Sequence, residues 1–166
     1  MATHNAAGLY YPLTKMNFYV HVDGITNVAA FNEVTGIDAT VEVIEFRQGN
    51  AHSLAPVKIP GLVKHGNITL KMGYTRNQDF KNWVINCVDE RRKEVSKLRK
   101  EITIELIDIG ENSPQKEVTS IGQKELTWIF KGAWVTKYSG VDLNASTSEV
   151  AIETVEIAYE ELVIPN

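Results

Sequence analysis

Apolar and polar residues alternate with a period of two through most of this chain, the pattern of half-buried strands. In "NFYVHVDG", Phe18, Val20 and Val22 share one face, and the run stops at the turn pair Asp23 and Gly24. "ATVEVIEFR", "NITLKMG", "EITIELIDIG", "ELTWIFKGAWVTKYSG" and "SEVAIETVEIAYEEL" read as further strands. One segment keeps a different period. In "NQDFKNWVINCVDERRKEVSK", Phe80, Trp83, Val84, Cys87 and Val88 recur at i, i+3, i+4, i+7 and i+8, which predicts one amphipathic helix over about 77–97. Asn77 suits its N-cap and Asp79 its first turn, while Arg91, Arg92, Lys93 and Lys97 gather toward its C-terminus. Residues 47–66 hold three glycines and two prolines with no clear period. They read as a long connection, a length that is usually functional. The expected organisation is an N-terminal arm over 1–15 and a single domain over 16–164, mainly β with one flanking helix. Nothing repeats the β-α alternation of a parallel, doubly wound sheet.

Three of these strands change face partway. Val41 and Val43 share one parity and Ile44 and Phe46 the other; Ile102, Ile104 and Leu106 are followed by Ile107 and Ile109; Val150 and Ile152 are followed by Val155, Ile157 and Tyr159. A β-bulge would produce this by adding one residue and re-aiming everything after it. So would a strand buried on both faces, one against the core and one against another subunit. Periodicity leaves both open. The runs read as about a dozen residues long, beyond the usual ~5–6, and none carries a proline to blunt an exposed edge. That favours self-association.

Composition narrows the chemistry. The chain has 166 residues, 43% hydrophobic and 23% charged, with a net charge of −4: enough to bury a core, and too acidic to point to nucleic acid as the main partner. The single cysteine, Cys87, cannot form an intramolecular disulfide, and its place on the helix stripe makes it a small buried hydrophobe. His4, His21, His52 and His65 lie apart, with none at metal-ligand spacing. No phosphate-binding, dinucleotide, zinc-protease or serine-hydrolase motif occurs. Catalytic, cofactor and metal sites are therefore expected to be absent. The basic run "RRKEVSKLRK" is interleaved with Glu94 and reads as a solvated face, and Glu160 and Glu161, adjacent on a strand, point to opposite sides. Trp83, Trp128 and Trp134 are core or interface anchors. The sequence starts without a basic, apolar leader and holds no run of ~18–20 apolar residues, so cytoplasmic synthesis without membrane insertion is expected.

As a whole the sequence resembles the tail tube proteins of contractile phages and phage-derived contractile injection systems. The resemblance runs from about residue 12 to residue 162. It rests on "FYVHVDG", the Phe-x-x-Val-x-Gly turn in "AAFNEVTGI", Glu42, Glu45, Arg47 and Gly49 in "VEVIEFRQG", then "KIPG", "LKMG" and Trp83. Its most specific part is "GAWVTKYSGVDLNASTSEVAIETVEIAYEEL", with Asn144, Ala145, Glu149, Val150 and Glu153. Val135, where proline is common, and Glu161, where glycine is frequent, depart from the family pattern, and "ENSPQKEVTSIGQ" is longer than the usual connection.

The resemblance implies an antiparallel split barrel or sandwich that assembles into hexameric rings with a continuous inner β-barrel. Such rings stack into a tube inside a contractile sheath. It makes 47–66 an inter-ring loop, with Arg47, Pro60, Gly61 and Lys64 as stacking contacts. Asn144, Glu149 and Glu153 become inter-subunit contacts. Implied partners are further copies of the chain, sheath, baseplate and tube-terminating proteins, and effector cargo or DNA in the lumen, within a virion or injection particle. A tube-initiating baseplate protein or a type VI secretion-like ring protein would share these features. Outside that class stands a monomeric β-barrel ligand-binding module.

Overall fold

The computed structural model of the chain describes residues 18–25, 31–50, 52–73, 78–91, 94–108, 123–146 and 149–165. The N-terminal arm, the Asn77 cap and most of the polar stretch after residue 108 lie outside them. Strands β1 (Phe18–Val22), β2 (Phe31–Thr35), β3 (Thr40–Phe46), β4 (Val57–Lys64) and β5 (Ile68–Gly73) precede two helices, α1 (Gln78–Val88) and α2 (Val95–Leu98). β6 (Lys100–Asp108), β7 (Gln123–Ser139), β8 (Ile152–Ala158) and β9 (Glu161–Val163) follow. All pairings are antiparallel, in the order β1-β6-β7-β8-β5-β2, with β9 beside β7 and β3 paired with β4 apart from the rest.

The 17-residue β7 ties the body together. Its first half pairs with β6 and β9, and its second half with β8. The bend between them falls at Gly132, whose φ of 64° lies in the left-handed region. A Cβ there would also press on the Glu160 carboxylate at 2.8 Å, so only glycine makes this corner without strain. The sheet folds over one core: Ile102 and Ile104 of β6, Phe130 of β7, Leu70 of β5 and Ile157 of β8 are buried together. Helix α1 adds Phe80, Trp83, Val84 and Cys87, four of the five residues of the stripe its spacing predicts, while the fifth, Val88 at the helix end, is exposed. Phe80 meets Phe31 edge-on at 5.5 Å, and Phe130 meets Tyr159 at 4.8 Å.

The helical segment is two helices, not one over 77–97. The apolar stripe ends at Val88, and the Asp89 carboxylate accepts from the Arg91 amide at 2.9 Å. That local bond offers the backbone an alternative to another helical turn. The Trp83 indole donates to the Leu98 carbonyl at 2.7 Å, joining the short α2 to α1.

The changes of face have more than one cause. In β6 the shift of register falls between Leu106 and Ile107, where the parity changes, so a bulge accounts for it. β8 pairs with β5 without interruption from Ile152 to Ile157. Its Val155 and Ile157 are buried, whereas Ile152 and Val150, the latter before the strand begins, are exposed. β3 carries a bulge and is exposed on both faces. The expected dozen-residue strands are shorter: seven residues in β3, nine in β6 and seven in β8.

Candidate assembly interface

Residues 57–64, read from sequence as part of an irregular connection, form β4. With β3 they make a two-stranded arm. β2 runs into β3 through 36–39, and β4 runs into β5 through 65–67, so the arm continues the β2–β5 edge beyond the body. Gly36 sits at this junction with φ of 84°, and a Cβ on it would collide with the Asn67 carbonyl. Asp38 organises the junction. Its carboxylate accepts from the Gly66 amide at 2.7 Å, and its carbonyl accepts from the Tyr159 hydroxyl at 3.0 Å. The His65 ring lies against Tyr159 at 5.1 Å. Burial first, and the neighbouring Asp38 carboxylate second, raise the Tyr159 phenol above its ordinary range. It therefore stays a neutral donor at physiological pH.

Beyond this anchor the arm packs chiefly on itself. Every residue of β3 is exposed, and in β4 all but Gly61 are. Yet the arm is apolar on both faces: Val43 is 56% exposed, Phe46 54%, Val57 64% and Leu62 71%. A two-stranded hairpin alone is marginally stable in water, and a contiguous exposed apolar surface marks an interaction site. The four residues expected to make stacking contacts all lie here. Arg47 follows β3 and its Nε reaches the Ser53 carbonyl at 3.4 Å. Pro60 and Gly61 sit at the register shift opposite Val41 and Val43, where the missing N–H of proline is tolerated. A Cβ on Gly61 would approach the Glu42 carbonyl at 3.1 Å, so glycine lets the strands close up there. Lys64 pairs with Glu42 at 3.6 Å.

The residues expected at the subunit contact divide. Asn144 and Glu149 line an open concavity of about 450 Å³ between β7 and β8, with Val141, Asp142, Leu143, Val150 and Ile152. The Asn144 side-chain oxygen accepts from both the amide and the hydroxyl of Ser146, at 3.0 and 2.6 Å, which holds the loop. Glu153 is elsewhere. Its side chain is buried inside the chain, accepting from the Tyr138 hydroxyl at 2.7 Å and lying 3.6 Å from Lys81 Nζ of α1. The expectation of a surface contact for Glu153 is corrected accordingly: it clamps the helix to the β7–β8 sheet. Its odd parity with Val155 and Ile157 is the signal that places it inward. Sequence reasoning missed Leu54, Leu62 and Leu143 as site residues. It also missed Asp38 and Tyr159, whose meeting across most of the chain no local pattern announces.

Among the described residues, no three His, Cys, Asp or Glu side chains gather as a metal site requires. No helix there is long and apolar enough to cross a membrane.

The family model for the T4-like virus tail tube protein gp19 matches residues 14–163. Among solved structures, a chain in the 6-fold symmetrised anti-feeding prophage baseplate is 20% identical with a TM-score of 0.73, covering 95% of this chain and 97% of that one. A chain in the extended sheath-tube complex of PVC, an extracellular contractile injection system, is 24% identical with a TM-score of 0.69, covering 93% and 92%. A type six secretion system protein is similar at 11% identity and a TM-score of 0.54, covering 89% and 81%. At these identities the likeness is one of fold. No curated protein sequence matches the chain.

Proposed function

The chain belongs to the T4-like virus tail tube protein family, and from that membership we propose that it is the inner tube protomer of a contractile injection system or phage tail. Hexameric rings of it stack into a rigid hollow tube within a contractile sheath. The tube conducts effector cargo or DNA when the sheath drives it forward. Baseplate and terminating proteins close its two ends, and the tube is assembled in the cytoplasm as part of a virion or injection particle. Its role is mechanical and geometric, without a chemical step.

The observation that carries this reading is the arm. Two strands that are apolar on both faces and exposed on both are a poor solution for a free monomer, and burial between subunits supplies what is missing. Arg47, Pro60, Gly61 and Lys64 are the stacking contacts, and Asn144 and Glu149 belong to the surface between subunits. The outward side of β5 and β8, with Thr69, Lys71, Thr154 and Glu156 alternating against buried neighbours, is a wetted face suited to a channel wall. Lys71 pairs across it with Glu33 at 3.0 Å and Glu156 with Lys137 at 3.2 Å. A head-to-tail interface whose rotation closes makes a ring, and pairing the sheet edges removes their aggregation hazard.

Likeness to a chain in a baseplate structure favours one second reading, a tube-initiating ring of the same fold that occurs once per particle. Negative-stain electron microscopy of the purified protein, with its mass in solution, tests both. Hollow tubes of many stacked rings are expected. Single rings that never extend, even with sheath and baseplate present, indicate the initiator. A stable monomer at high concentration that makes neither overturns both readings. Deleting residues 51–57 should leave a folded protomer and stop stacking; normal tubes from that variant would show that the arm tip has another role.

A further inference from the structure

We infer that the tip of the arm of one protomer seats in the concavity lined by residues 141–144 and 149–152 of a second copy in the next ring. This rests on the tube reading, and it supplies what that reading leaves open: the acceptor for the arm and the direction of stacking. The two surfaces lie at opposite ends of the same ladder. The arm leaves β5 at Ile68, which pairs with Ile157, while the concavity opens beyond Gly73, which pairs with Ile152. Five residue steps at about 3.4 Å separate these ends by roughly 17 Å. One chain thus presents a donor at one end and an acceptor at the other. Joined copy to copy they make a heterologous contact that repeats along an axis without closing, which is what an extending stack requires.

The surfaces also match in chemistry. Leu54 at the tip is 86% exposed, and Leu143 and Val150 at the acceptor are 92% and 78% exposed. The volume of about 450 Å³ exceeds the ~150 Å³ of an apolar cavity that holds a benzene-sized group, so it can take more than one aliphatic side chain. Charge is complementary. The described tip residues, 47–50 and 52–57, include Arg47 and His52 with no acid, whereas the lining of the concavity includes Asp142 and Glu149 with no base. The interaction would place a small basic and apolar tip in an acidic and apolar seat. Both are held in shape by local bonds, Ser53 Oγ accepting from the Ala55 amide at 3.2 Å and Asn144 accepting from Ser146.

Disulfide trapping in assembled tubes tests the pairing, because the chain's own Cys87 is buried. Tubes of a Leu54→Cys, Val150→Cys double variant, mildly oxidised, should give a covalent ladder of three or more chains on a non-reducing gel. A Leu54→Cys, Thr154→Cys control should give at least tenfold less. Equal cross-linking in the two, in tubes of normal length, overturns the inference and leaves the tube reading intact. Charge provides a second test that needs no cysteine. Asp142→Lys with Glu149→Lys should leave rings but reduce tubes at least tenfold, and adding Arg47→Glu should recover them in part. Wild-type tube yield from the Asp142→Lys, Glu149→Lys variant also overturns the inference. If the wild-type protein forms neither rings nor tubes, the tube reading itself fails and this contact falls with it.

Discussion

β4 and β5 are consecutive strands of one hairpin edge, separated by three residues, and they live in opposite environments. In β5, "ITLKMG", Ile68, Leu70 and Met72 are buried and the intervening residues half-buried. In β4, "VKIPGLVK", seven of eight residues are exposed although most are apolar. Hydrophobicity does not separate the two. What separates them is that β5 is paired on both sides, by β2 and β8, over the core, whereas among the described strands β4 is paired with β3 alone. The lesson concerns ownership of apolar surface: the body's grease is buried within the protomer, and the arm's grease is left uncovered by it.

The largest effects should therefore fall in the body. Phe130→Ala removes a fully buried ring and its contact with Tyr159. It should cost about 3–5 kcal/mol of unfolding free energy by urea titration. Leu62→Ser on the arm should change the same quantity by less than about 0.5 kcal/mol, the usual range for exposed positions, and should sharply reduce tube assembly. A large loss of protomer stability from Leu62→Ser would break the distinction between the two regions.

Next in size is Glu153, the residue for which sequence and structure disagree about ownership. Glu153→Ala leaves the Tyr138 hydroxyl and Lys81 without the carboxylate that joins α1 to the sheet. A hydrogen bond to a charged group is worth about 1.5–3 kcal/mol, and urea unfolding should fall by that amount. Glu153→Gln, which keeps an acceptor, should lose less. A protomer of unchanged stability that no longer assembles would instead restore Glu153 to the subunit surface.

The disagreements have physical causes in particular residues. The body was legible because alternation in β1, β5, β6 and β7, and the 3.6 period of α1, record burial within one chain. The arm was not. Pro60 and Gly61 fall at a bulge and break the period of β4, and apolar residues on both faces leave no contrast between inside and outside. The both-faced residues of β3 leave a bulge and a subunit contact equally open by period, and β3 carries a bulge and is exposed on both faces. The helix was extended too far because Lys and Arg after Val88 are acceptable helix formers, and the Asp89 turn that ends it depends on one local bond. The subunit contact expected for Glu153 comes from the family resemblance alone. Its inward parity was visible, but its partners come from two other elements.

The smallest effect lies where the regions meet. Tyr159 belongs to both, its ring packing on Phe130 in the body and its hydroxyl donating to the Asp38 carbonyl at the root of the arm. Tyr159→Phe keeps the ring and removes the donor, so unfolding free energy should drop by about 1 kcal/mol. The pH dependence gives a signature that lost packing would not. Burial, and then the Asp38 carboxylate, raise the phenol in the folded state above its ordinary 10.0. Above that value the unfolded chain releases the proton while the folded chain keeps it, and stability falls as pH rises. The hydroxyl's contribution is complete below the ordinary phenol pKa and is lost as pH climbs through the folded-state value. The gap between wild type and Tyr159→Phe should therefore be constant through neutral pH and narrow in alkali. A gap that stays constant at high pH would mean that the hydroxyl is not held in this buried, Asp38-facing site, and that the arm is anchored to the body by some other contact.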